Sequence, residues 1–296
     1  MKKMPAFFSC LFLAAVALSL AQEAPVPLTP AVPPPQAAPA PAQPRAETPP
    51  SALSGAPPAA LAGGTVPSLS RSFPIPQDVK KEIDRIFSIS PSERARACWN
   101  LGRFGSRAVH AVPFLLAMTA DGNVAWFSSD GWGRWTTPGT EAAYALGRIG
   151  EPAREPALLL LSSSNTAMRM NGALALGEIG NPSACAAVAA LLKDPEWTVR
   201  EQAAVALGKM KDASAIEPLT AALKDSEWQV RKAALSALAA LGGGKAAVEA
   251  LLSTLDDSFP HIRDAAAAAL RELTGQDFGA DRTAWAKWWQ EHGHSM

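Results

Sequence analysis

The chain has 296 residues, and 16 of its 26 prolines fall between Pro25 and Pro76, so that stretch cannot belong to a packed core. Lys and Arg together equal Asp and Glu at 27 each, which removes any electrostatic reason to expect nucleic acid or an anionic membrane as the main partner. Three Cys exclude a disulfide scaffold, and one Tyr with four His leaves little material for acid–base chemistry.

Met1 to Ala21 reads as a secretory signal peptide. Lys2 and Lys3 form the charged start, residues 6–20 form the apolar run, and Ser19-Leu20-Ala21 puts small residues at the −3 and −1 positions of a cleavage site. The run is shorter than the ~20 residues that span a bilayer. Membrane attachment follows only if this segment is never cut; the expectation is a periplasmic or secreted protein cleaved after Ala21. Without Lys2 and Lys3, 25 cations face 27 anions. Cys98 and Cys185 then remain in a disulfide-permissive compartment. They fall in helices two repeats apart, beyond disulfide reach, and are expected to be buried thiols.

Residues 22–76 are Pro/Ala-rich, as in Ala31-Val-Pro-Pro-Pro-Gln36. Proline fixes φ and removes backbone donors, and Ala adds little apolar area. The segment reads as a disordered, extended linker whose ~50 residues reach at most roughly 150 Å at ~3.1 Å each.

From Gln77 onward an internal period appears, and residues 77–296 form one repeat domain. The segments starting at Thr166, Trp197 and Trp228 align. Arg169, Arg200 and Arg231 are 31 apart, and Arg263 follows after 32. Leu176, Leu207, Leu238 and Leu270 keep the same steps, and Leu146 and Leu101 extend the series back across an insertion. Each unit reads as two helices. In the clearest, Asp194 caps a first helix with Pro195 at its first position, Val199, Ala203, Ala206 and Leu207 line one face, and Gly208 lies near its end. A second helix runs from Ser214 to Lys224. Neither can bury its stripe alone, so about six hairpins stack into an all-α solenoid. A helix from Gln77 to Phe87, with Val79, Ile83, Ile86 and Phe87 on its apolar face, caps one end. A helix within residues 280–291, with Trp285, Trp288 and Trp289 on one face, caps the other.

The Val-Arg-x-x-Ala-Ala-x-Ala-Leu-Gly pattern and the closing Lys193-Asp194 and Lys224-Asp225 resemble HEAT repeats, specifically the short bacterial type grouped with phycobilisome-lyase HEAT-like repeats. The resemblance covers residues 90–273 and implies binding rather than one chemistry. It also implies that Asp194 and Arg200, Asp225 and Arg231, and Asp257 and Arg263, each six apart, form a structural ladder rather than an anion-binding stripe. Arg169 faces Ser163 at that spacing and has no acid. The recurring Trp197, Trp228 and Phe259 read as a repeated packing position.

Residues 120–140 break the period and place Trp126, Phe127, Trp132 and Trp135 among Asp and Gly in an irregular loop. Trp carries large contact area at low entropic cost, which makes this loop the candidate partner-binding site, unless it covers an apolar gap between the first two repeats. Its Asp residues lack the alternation and closing Glu of a calcium loop. Two enzyme families share this repeat type. The His-Glu dipeptides of deoxyhypusine hydroxylase are absent here, and bilin lyases act in the cytosol, the wrong compartment for an exported chain. The reading is therefore a non-catalytic scaffold with no cofactor or metal, binding a protein or peptide of unknown identity. A cell-wall glycan module using the tryptophans and a bilin-lyase-like enzyme are the alternatives.

Overall fold

The computed structural model describes residues 74–128, 133–242 and 244–293, all within the unit Gly55–Met296. The signal segment, almost all of the Pro/Ala-rich linker, and Trp132 lie outside the described residues. Among the described residues, thirteen α-helices and one two-stranded hairpin make up the regular structure, with short 3-10 turns between many of the helices. No described helix is long and apolar enough to cross a membrane.

The first helices of successive repeats are α2 (Pro91–Arg103), α4 (Pro138–Ile149), α6 (Thr166–Ile179), α8 (Trp197–Met210), α10 (Trp228–Leu241) and α12 (Pro260–Thr274). Each packs on the next, giving one continuous layer. The second helices, α3 (Val112–Met118), α5 (Arg154–Leu160), α7 (Cys185–Ala190), α9 (Ile216–Ala222) and α11 (Gly244–Thr254), pack across this layer. Four of the five are only 6 or 7 residues long, each entered through a 3-10 turn. Such segments have no stability of their own and hold their shape by burial against the first layer.

The repeated Leu and Gly explain how the layer closes. Leu101, Leu146, Leu176, Leu207, Leu238 and Leu270 are all fully buried. The Gly that follows Leu207 lies two residues before the end of α8, as the period suggests, and it faces α10. A Cβ placed on Gly208 would stand 2.9 Å from the Ala237 Cα, and one on Gly177 would stand 2.8 Å from the Ala206 Cα. Gly102 meets Ala145 in the same way at 3.0 Å. Glycine at these positions lets the backbones touch, with Ala on the facing helix.

The helix starts differ from the sequence reading. Asp194 does not cap α8; the helix begins at Trp197 after Glu196, whose side chain makes no capping bond. The Asp194 carboxylate instead accepts the Glu196 N–H at 2.9 Å, forming a turn outside the helix. The second helix of that repeat starts at Ile216, because Asp212 turns the chain first by accepting from the Ser214 N–H.

The N-terminal helix α1 spans Gln77–Arg85. Val79, Ile83 and Ile86 are buried, but Phe87 is exposed beyond its end, where it meets the Phe114 ring edge-on at 6.1 Å. The last helix, α13 (Arg282–His292), buries Trp285 completely; its indole N–H donates to the Gly279 carbonyl at 2.8 Å. Trp288 and Trp289 pack half-buried against the core. Cys98 and Cys185 are free and buried.

Close helix approach is a stability claim. Gly208→Val is expected to destabilise the domain by roughly 1–3 kcal/mol, because the added carbons meet backbone that cannot yield. Urea unfolding followed by circular dichroism measures it, and Gly122→Val, where nothing lies within 4 Å, is the control.

Candidate functional site

Two features interrupt the plain stacking of helices: a polar ladder along one edge, and the insertion between the first two repeats.

The ladder is built differently from the six-residue pairs in the sequence. Each Arg reaches forward to the next repeat with one edge of its guanidinium and back to its own loop with the other. Arg169, left without an acid by the spacing, holds Asp194 through Nε at 2.7 Å and Nη2 at 2.9 Å. Arg200 holds Asp225 in the same way, at 2.7 and 2.9 Å. Arg231 holds Asp257, at 2.6 and 3.0 Å. The acid six residues back contributes only its backbone carbonyl: Arg200 Nη1 donates to the Asp194 oxygen at 2.9 Å, and Arg231 Nη1 to the Asp225 oxygen at 2.8 Å. Arg263 makes this backward bond to Asp257 at 2.8 Å, but no carboxylate among the described residues pairs with it. Arg94, which stands seven residues before Leu101 as the other arginines stand before their leucines, joins the ladder by donating to Asp121 at 2.7 Å.

The electrostatics follow the geometry. Burial works to raise the carboxyls of Asp194, Asp225 and Asp257, and the facing arginine together with one backbone N–H outweighs it, leaving all three below the usual range. The side chains of Arg200 and Asp225 are only 15% and 11% exposed, so this pair is screened less than a surface bridge.

In the second repeat both halves of the ladder are missing. Gly139 stands seven residues before Leu146, where an Arg would be, and the next loop has Ser163 in place of an Asp. The space is filled by Asn171 of α6, which donates to the Thr119 carbonyl at 2.8 Å. A Cβ at Gly139 would stand under 3 Å from that carbonyl and from the Asn171 amide.

The insertion enters here, and it is not an irregular loop. Strands β1 (Ala125–Ser128) and β2 (Gly133–Thr136) form an antiparallel hairpin that pairs Trp126 with Trp135 and Phe127 with Arg134. Its signal in the sequence is short: two four-residue runs rich in aromatic residues, Ala125-Trp-Phe-Ser128 and Gly133-Arg-Trp-Thr136, separated by a stretch containing Asp130-Gly131.

The two faces of the hairpin do different things. Phe127 is 1% exposed and packs on Trp99 of α2 at 5.8 Å between ring centres. Arg134 lies 5.9 Å from the Phe127 and Tyr144 ring centres and donates to buried Glu141 at 2.6 Å, where Thr136 also donates at 2.8 Å. On the other face Trp126 and Trp135 are 51% and 70% exposed and meet edge to face at 5.2 Å. The Trp126 ring lies across Gly133, where any side chain would displace it. Of the four aromatic candidates, then, Trp126 and Trp135 share an exposed face, Phe127 belongs to the core, and Trp132 lies outside the described residues.

Burial, with the charges of Glu141 and Asp121 adding to it, pushes the Cys98 thiol far above its ordinary value, so it is inert as a nucleophile. His110, His261 and His292 are not gathered: His261 sits between the Trp228 and Phe259 rings, and His292 stacks on Trp288.

Helical hairpins stacked in one direction, with an Arg–Asp ladder tying each to the next, define an α-solenoid repeat protein. The model of the family described as HEAT repeats matches residues 140–202, 154–239 and 186–271. Residues 140–271 are thereby matched to HEAT repeats. Among solved structures it is similar to Kap121p, at 15% identity and TM-score 0.54 over 73% of this chain and 26% of that one. It is likewise similar to Kap95p, from a study of its binding to RanGDP, at 15% identity and TM-score 0.53 over 73% and 34%. A complex of CpcE and CpcF of phycocyanin lyase from Nostoc sp. PCC7120 matches at 24% identity and TM-score 0.47, over 54% of this chain and 98% of that one. No curated protein matches at a significant level. The likenesses show the fold.

Two outcomes follow from this geometry. Phe127→Ala is expected to cost about 3–5 kcal/mol, whereas the Trp126→Ala/Trp135→Ala double variant keeps its helicity and loses far less; thermal denaturation separates them. The ladder carboxyls ionise below their unfolded values, so their contribution is complete above about pH 4 and is lost as pH falls through the lower folded values. The urea midpoint should drop as pH falls below about 4, and drop less in an Arg200→Met/Asp225→Leu variant.

Proposed function

We propose that this chain is an exported, non-catalytic scaffold that binds a protein or peptide partner, with the Trp126–Trp135 face of the hairpin as its recognition element. The observation that carries the reading is the exposure of two tryptophans in edge-to-face contact on one face of the hairpin. Large aromatic side chains that stand in water cost solubility, and they are the residue type that most often anchors a partner. The opposite face of the hairpin fixes them in place. Phe127 is locked on Trp99, Arg134 is tied to buried Glu141, and Arg94 holds Asp121 at the entry to the hairpin. A recognition element on such a base loses little entropy on binding.

The export half of the reading rests on the sequence of Met1–Ala21, and the Pro/Ala-rich residues 22–76 serve as the tether between the cleavage site and the solenoid. The non-catalytic half rests on the class: stacked repeats offer an extended surface, and His261, His292, Cys98 and Cys185 are engaged in packing.

The test compares the mature protein with its Trp126→Ala/Trp135→Ala variant, matched for helicity, in affinity capture from envelope extract and in sedimentation with insoluble cell-wall glycan. A protein recovered by the first and lost by the second is the expected result. Equal capture by both moves recognition away from the hairpin. Sedimentation with glycan that depends on the two tryptophans replaces the protein partner with a polysaccharide.

A further inference from the structure

Arg231 is enclosed by the repeat that follows it. The Asp257 carboxylate takes its Nε and Nη2 edge, and the Phe259 ring stands 5.5 Å over the guanidinium. Arg263 occupies the same position one repeat later and is oriented in the same way, with Nη1 donating to the Asp257 and Ser258 carbonyls at 2.8 and 3.5 Å. The partner carboxylates of the other arginines lie 25 to 27 residues further on. At that distance from Arg263 the chain has Trp288, Trp289 and Gln290. Nε and Nη2 of Arg263 have no acceptor among the described residues, and neither is sealed off from solvent. Beside them Phe259 is 40% exposed, whereas Trp197 and Trp228, its counterparts in the preceding repeats, are half-buried.

The gap in the second repeat makes this departure meaningful. There the Arg and the Asp are missing together, Gly139 with Ser163, so an unused ladder position elsewhere in this chain has lost its Arg. At the C-terminal end the Arg is kept and held in the binding orientation, and no acid among the described residues pairs with it.

We propose that Arg263 and Phe259 form a binding site for a carboxylate carried on a protein segment, in which an Asp or Glu is followed within a few residues by an aromatic side chain. The segment repeats in trans what Asp257-Ser258-Phe259 does for Arg231. The carboxylate takes the two N–H donors of the fork, and the aromatic ring covers the guanidinium and the open Phe259 face. The segment comes from a different protein. The loop in ladder register at the opposite end of this stack has Ser88 where the acid would stand, and the neighbouring Glu93 carboxylate is already engaged by the Ser88 hydroxyl, so end-to-end stacking of two copies does not reproduce the ladder pair. This site is separate from the hairpin, and the failure of either leaves the other standing.

The test is a titration of the mature, isotope-labelled protein followed by the Nε–Hε resonance of Arg263, identified as the signal lost in Arg263→Lys. The probe is a peptide copying residues 254–262, with Asp257→Asn and Phe259→Ala versions and acetate as comparisons. A saturable downfield shift with the parent peptide, at least several-fold weaker with either substituted peptide and with acetate, is the expected result. An equal response to the Asp257→Asn peptide, or none to any probe, overturns the site. A response to acetate as strong as to the peptide overturns the aromatic half. An Arg263 signal already downfield that moves back when residues 294–296 are deleted also overturns the proposal, since the chain's own terminus then fills the fork.

Discussion

The structure depends on how closely one first helix lies against the next. Ala on one helix faces Gly on its neighbour at Ala145 and Gly102, Ala206 and Gly177, and Ala237 and Gly208. Contact this close holds each helix at one rotation, since a small turn about its axis would bring a larger side chain into a space that does not admit a Cβ. Alanine supplies little hydrophobic stabilisation per residue, so the layer gains its energy from close packing and from the buried Leu that recurs in every first helix. The second helices, too short to stand alone, take their positions from this layer.

Fixing the rotation also fixes the ladder. Once successive helices are in register, each Arg stands between the loop before it and the loop beyond it, and its planar fork satisfies both. Nη1 serves two carbonyls that no helix uses, and Nε with Nη2 serve a carboxylate. A lysine has no such pair of edges. The carboxylate in turn accepts a backbone N–H two residues on, as Asp225 does from Glu227, so one residue pair organises the loop of each repeat and ties it to its neighbour. Where the chain departs from this arrangement, in the second repeat, Asn171 fills the gap and the hairpin stands beside it. The insertion thus stands between a boundary that the Arg94–Asp121 rung closes and the next one, which the ladder leaves open.

The period, the helical class and the Trp-rich final helix were legible because they rest on spacing, which a sequence displays directly. Pairings were less so. Asp194 and Arg200 lie six apart and look like partners, yet the contact at that distance is to a carbonyl, which every residue has; the carboxylate contact spans a whole repeat. Had the Arg and Asp been aligned as separate columns, the joint loss at Gly139 and Ser163 would have pointed to the forward pairing. The hairpin was missed for a different reason. Four-residue strands give too little alternation to stand out among apolar helices, and four aromatic residues in a row of Asp and Gly look alike until the pleat sorts them. The pleat sends Phe127 inward and Trp126 and Trp135 outward, and only that division separates a core residue from a recognition surface.

The ends of such an array must deal with two unfilled surfaces, and they are not the same surface. The apolar face is closed at the C-terminal end by α13, with Trp285 fully buried and held by its indole N–H. The polar edge is a separate matter, because a capping helix that brings tryptophans to the core brings no carboxylate to the ladder. At the N-terminal end nothing is left over: Arg94 faces forward and is met by Asp121, and the position behind it is Ser88. At the C-terminal end the same directionality leaves an arginine facing forward with no repeat to meet it. A ladder in which every Arg points the same way therefore has a chemically distinct last rung, and in this chain that rung keeps its donors beside an exposed aromatic ring.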